Sequence, residues 1–152
     1  MNAINRPRRE LANGATLSPL VVEATGESYH GRRVWRVVRD FTLRLSIGSA
    51  VLGGGGFYLR IDVPAGFLTD YASIPRLFWR IWPHDECAEA AVIHDWLYSQ
   101  PDADRLFSDA ILALVMRLTG KPRLMRWAFY WAVRFGGRWA RKTRNTKGQT
   151  DS

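Results

Sequence analysis

The side chains able to do acid–base chemistry gather in one short stretch. His94, Asp95 and Tyr98 stand in the run Ile93-His-Asp-Trp-Leu-Tyr98, and Asp104 follows six residues later. The pattern predicts a helix from Glu86 to about Tyr98, with Asp85 as its cap. On it, His94 and Tyr98 lie one turn apart on a shared face, and Asp95 points about 100° away. Ser99-Gln-Pro101 reads as a tight turn, and Asp102 can cap a further helix over 103–119, closed by Gly120 and Pro122. The two helices should form an antiparallel hairpin. At about 1.5 Å rise per residue, His94 lies roughly 7 Å from the turn and Asp104 roughly 5 Å. The two are therefore expected to face each other.

Such a group has a natural chemistry. A neutral His94 can act as general base on a water while Asp104 fixes its tautomer, with Tyr98 in support. Asp95 can ligate a hard cation such as calcium, and Asp70 can reach the same place as a further acidic ligand. A structural role is equally open. His94–Asp104 can be a satisfied buried polar pair, Asp95 a solvated helix residue and Asp70 a helix cap. Cys87 reads as a small core residue, because no catalytic signature surrounds it.

The remaining elements must position that group. Within Arg33–Ser46, Phe41, Leu43 and Leu45 alternate with polar residues. Phe57, Leu59, Ile61 and Val63 do the same, the two-residue period of half-buried strands. The four glycines at 53–56 suit a hairpin tip, and no Lys-Ser/Thr follows to make a phosphate loop. Ser73 can cap a short helix through Ile81. A last helix is predicted from Arg123 to about Trp139, with an arginine ridge at 123, 126, 134 and 138 and a wide buried face holding Leu124, Trp127, Phe129 and Trp131. The fold class is α+β: a small antiparallel sheet over about 20–63, then a three- to four-helix cluster containing an antiparallel helical hairpin. Residues 1–19, broken by Pro7, Gly14 and Pro19, read as a mobile arm, 20–141 as one domain and 142–152 as a disordered basic tail.

Composition narrows the classes. The chain has 152 residues, 47% of them hydrophobic, which suits one globular domain. No apolar run approaches the roughly 20 residues of a membrane span, and the first twenty residues hold no signal-peptide core. The single cysteine excludes an intrachain disulfide. The net charge of +8 is uneven: residues 1–40 carry +3, 41–116 carry −4 and 117–152 carry +9. A polyanion would meet the C-terminal end; a cation would meet the middle.

Three strings carry a family resemblance: Val63-Pro-Ala-Gly-Phe-Leu-Thr-Asp-Tyr-Ala-Ser-Ile-Pro-Arg76, Ala90-Ala-Val-Ile-His-Asp-Trp-Leu-Tyr98 and Ala103-Asp-Arg-Leu-Phe107. Together they resemble a small phage and bacterial family, domain of unknown function 1353, over roughly residues 33–137. The resemblance implies a phage or prophage origin and supplies no activity. The connection from Tyr98 to Ala103 is shorter than that family usually has. A second resemblance is to the His-Asp-x-x-Tyr helix of phospholipases A2. It implies His94 as general base, Asp95 as a calcium ligand, and Tyr98 and Asp104 as the supporting network. No glycine-rich calcium loop stands at that family's usual place.

Three functions follow as expectations. The first is a phage structural, tail-assembly or lysis-module protein, with other phage proteins as partners, in the host cytoplasm or the virion. The second is a phospholipase A2-like hydrolase, with calcium as its possible cofactor. The third is a nucleic-acid or membrane-surface binder acting through Arg117–Lys147, where arginine and tryptophan interleave.

Overall fold

The computed structural model describes residues 3–11, 14–29, 31–47, 57–71 and 87–131. Among the described residues, eight strands form two four-stranded sheets. In chain order they are β1 (Ala3–Arg6), β2 (Arg9–Glu10), β3 (Thr16–Leu17), β4 (Leu20–Tyr29), β5 (Arg32–Val37), β6 (Phe41–Ile47), β7 (Phe57–Val63) and β8 (Leu68–Thr69). One sheet has the order β1-β4-β5-β8 and the other β2-β3-β6-β7, and every pairing is antiparallel. Helices α1 (Ala88–Ser99) and α2 (Arg105–Leu118) follow, and a third helix, α3, is described over 123–131. The chain is α+β, as its pattern predicts.

The β6–β7 hairpin follows directly from alternation. Phe41 pairs with Val63, Leu43 with Ile61 and Leu45 with Leu59. These apolar pairs line one face, and five of the six side chains are buried. Thr42–Asp62, Arg44–Arg60 and Ser46–Tyr58 stand on the other. A one-residue slip would turn the whole apolar set to water, so the register is held by burial. The glycine run between the strands, the short helix expected after Ser73, and His30, His84 and Asp85 lie outside the described residues.

The amino-terminal expectation needs correction. Residues 1–19 read as a mobile arm, yet they supply β1 to one sheet and β2 and β3 to the other. Ala15 and Leu17 are fully buried and belong to the same core as Phe41 and Val63. The Ser18 N–H donates to the Thr42 carbonyl at 2.9 Å, and the Ser18 hydroxyl accepts from the Thr42 N–H at 2.7 Å. Arg9 reaches the buried Glu89 carboxylate of α1 at 3.6 Å. Polar composition concealed these strands because each is short and offers only one or two apolar residues to the core.

The core is one cluster shared by both sheets and all three helices. The first half of α1 is buried on every side, from Ala88 through His94. Ala88, Ala90 and Ala91 permit this, since a helix with small side chains can lie close against a sheet on one side and a helix on the other. Leu17→Ala is expected to destabilise the protein by about 3 kcal/mol in chemical denaturation, from lost burial and the cavity left behind. A change below about 0.5 kcal/mol is what a mobile arm would give.

Candidate functional site

The histidine centre is built where α1, α2 and β8 meet. His94 lies in the middle of α1 and is 4% exposed. Its Nε2 lies 3.0 Å from Oδ1 of Asp109, a fully buried carboxylate on α2. Its Nδ1 lies 3.8 Å from Oδ1 of Asp95. Both ring nitrogens therefore face a carboxylate. The Tyr98 ring, one helical turn on, packs over the imidazole with centroids 4.5 Å apart and planes inclined by 32°.

Asp95 is held from the sheet side. The Thr69 hydroxyl of β8 donates to Asp95 Oδ2 at 2.5 Å, and the Tyr71 N–H donates to that same hydroxyl at 3.2 Å. Tyr71 is buried and adopts φ +52°, the left-handed region that bulky side chains rarely enter. Its ring packs against Trp35 of β5, 6.0 Å between centroids. The preceding residues carry the chain from one sheet to the other. Val63 pairs with Phe41 in the second sheet; Thr69 pairs with Trp35 in the first. A turn at 64–66 joins them, with Gly66 at φ +88°, the Ala65 N–H bonded to Asp40 and the Gly66 N–H bonded to the Val37 carbonyl. Phe67 then meets Trp96 of α1 edge to face, at 5.3 Å.

This geometry reassigns one residue. Asp104 does not face His94. It is the exposed cap of α2, accepting from the N–H groups of Leu106 and Phe107 at 2.8 and 3.3 Å. The helix starts at Arg105, two residues later than an Asp102 cap would put it, so Asp104 sits at the level of the turn. Asp109, one turn further in, is level with His94. Its sequence signal is present: Asp109, Leu112 and Met116 share a face at i, i+3 and i+7, and the latter two are buried. An aspartate on an apolar face inside a helix calls for a partner. Thr69 is the other contributor that the spacing did not single out. Asp70 follows β8 directly and is half-buried, but the link to α1 is made by its neighbour Thr69. Cys87 is a buried residue at the start of α1.

Asp95 and Asp70, the two carboxylates expected to hold a cation, stand on α1 and directly after β8. The Asp95 carboxylate is occupied by Thr69 on one oxygen and faces His94 with the other. Among the described residues, no group of three or more His, Cys, Asp or Glu side chains is placed to hold a metal ion.

The family described as Protein of unknown function (DUF1353) matches residues 56–133. The chain belongs to the DUF1353 family. The matched stretch takes in β7, β8, α1, α2 and α3, and with them every residue of the histidine centre. No curated protein and no solved structure matches the chain. The DUF1353 match therefore carries a fold segment and a residue constellation without an assigned chemistry.

The electrostatics of this DUF1353 centre are set by opposing effects on His94. Burial alone would lower its pKa, by disfavouring the charged ring. The hydrogen bond to Asp109 and the attraction of the nearby Asp95 carboxylate, with the negative charge of both, outweigh burial, and the net pKa is raised above the ordinary 6.5. A raised folded-state pKa means that protonation of His94 favours the folded chain. That contribution is complete below the unfolded value near 6.5 and is lost as pH rises through the folded value. The melting temperature should therefore fall as pH increases above about 6.5, and His94→Gln should flatten that slope. Asp109→Ala leaves the buried His94 ring without its closest partner and should cost about 3–5 kcal/mol. Asp104→Ala removes a cap alone and should cost about 1 kcal/mol. Equal losses in the two variants would contradict the reassignment of His94's partner.

Proposed function

We propose that this protein is a non-enzymatic phage or prophage protein, acting in virion or tail assembly or as a lysis-module accessory, and that its histidine centre is a folding lock. The observation that carries this reading is that His94 is buried with a carboxylate at each ring nitrogen. A general base needs an unprotonated nitrogen directed at substrate or water. Here the nitrogen on the Asp109 side is committed at 3.0 Å, the other faces Asp95, and Tyr98 packs over the ring. The phage assignment rests on the resemblance that the motif strings around Asp70, His94 and Asp104 carry, within the stretch matched by the family.

One observation favours a second reading. The Nδ1–Asp95 separation of 3.8 Å is longer than a hydrogen bond, and the Asp109–His94 pair has the form of a base with its orienting carboxylate. A hydrolase of phospholipase A2 type would use that nitrogen once Asp95 moved aside.

The two readings separate in one experiment. Purified protein is incubated with phospholipid vesicles and with soluble acyl esters, with and without calcium, and fatty-acid release is followed. The lock predicts no release above buffer, and a large drop in melting temperature for His94→Ala. Turnover that His94→Ala abolishes while the melting temperature is unchanged would establish the hydrolase instead.

A further inference from the structure

Helix α3 has two opposite faces. Met125 and Phe129 are fully buried and join the core, about 40° apart around the helix axis. Leu124, Trp127 and Trp131 cluster on the other side, within about 60° of one another. They are 67%, 64% and 39% exposed. The sequence pattern placed all three in the buried face. The structure instead gives the core the Met125–Phe129 side. The exposed side is therefore a row of large apolar side chains at i, i+3 and i+7.

We propose that this face of α3 docks on an anionic lipid surface, with Leu124, Trp127 and Trp131 entering the headgroup–acyl boundary. The inference is independent of whether the histidine centre is a lock or a catalyst. Two observations carry it. The first is charge complementarity. Residues 117–152 carry net +9. Within the described part, Arg117 and Arg123 are exposed at the same end of the molecule. Attraction of basic side chains to anionic headgroups combined with buried apolar area is what holds an interfacial helix. The second is the chemistry of the exposed residues. Indoles prefer a boundary where one edge is apolar and the other wet. Leu124, the most exposed apolar side chain of the three, gains from entering lipid and has no π-face to stack on a base. Trp127 and Trp131 meet edge to face at 6.3 Å and 70°, so the pair is turned on itself instead of being spread as a stacking platform. A single-stranded nucleic acid is thus the less suited partner.

The test uses the full-length chain and large unilamellar vesicles of phosphatidylcholine alone or mixed with phosphatidylglycerol. The proposal expects co-sedimentation with the mixed vesicles, weakened at high salt, and little with phosphatidylcholine alone. Trp127→Ser combined with Trp131→Ser should weaken binding roughly tenfold or more, since two interfacial anchors are lost, while the melting temperature stays unchanged. Tryptophan fluorescence of the unaltered protein should be quenched by phosphatidylcholine brominated near the headgroup, a readout that does not depend on the variant folding. Absence of vesicle binding at low salt overturns the proposal. So does binding that the double substitution leaves intact, which would assign attraction to the basic tail alone. Affinity for single-stranded DNA that the double substitution removes, without vesicle binding, would make the face a nucleic-acid surface. A dimer that the double substitution dissolves, again without vesicle binding, would make it a contact between two copies.

Discussion

A buried imidazole enclosed between two carboxylates, which hold its pKa above the ordinary value, is the constraint on which the rest of the helical layer depends. Each group alone would be costly to bury, and together they are tolerable only if their geometry is kept. Keeping it requires α1 and α2 to lie at one spacing and one register, so that Asp109 meets His94 at 3.0 Å. The small residues Ala88, Ala90 and Ala91 allow α1 to be enclosed. The Asp104 cap begins α2 at the residue that brings Asp109 level with the ring. Displacing either helix by one residue would strand two or three buried polar groups.

The same centre ties the helices to the sheets. Thr69 is the joint: its hydroxyl donates to Asp95 and accepts from the Tyr71 backbone. The strand that carries it has just crossed from the β6–β7 sheet to the edge of the β4–β5 sheet. Tyr71 holds a left-handed backbone conformation beside Trp35, and conformations of that kind persist where surrounding contacts over-determine them. The run 63–71 thus acts as a strap over the sheet layer, closed by the Asp95 carboxylate. Two carboxylates of the acidic middle, Asp95 and Asp109, belong to this polar lock, and the exposed apolar face lies on α3. The two features occupy different elements.

Much of the fold was legible because its signals are local and periodic. The β6–β7 hairpin could be read from alternation, and the α1–α2 hairpin from caps and a short turn. What escaped depended on long-range contacts. β1 to β3 are ordered by neighbours that are distant in sequence, and their own residues are polar enough to read as a tail. Distance from the turn points to Asp104 as the partner of His94 only if α2 begins right after Asp102, and the helix begins at Arg105. A two-residue error in the start of a helix moves the facing residue by half a turn. His94, Asp95 and Tyr98 are legible as one neighbourhood because all three stand within about one turn of one helix. Trp127 and Trp131 were placed in the core because large aromatics usually are, and only the packing shows that Met125 and Phe129 took that side.

The central proposal is that His94, its pKa held above the ordinary value by its carboxylate neighbours, is a structural element of the core and not a base awaiting substrate. Nitrogen-15 NMR of the ring, titrated across neutral pH and assigned with His94→Gln, tests this most directly. The account predicts that at pH 6.5, where an ordinary histidine is half protonated, both His94 nitrogens already carry their protons in the larger part of the population, with a midpoint above that value. A ring that is predominantly neutral there, with Nδ1 unprotonated, would contradict it and return His94 to the role of a general base.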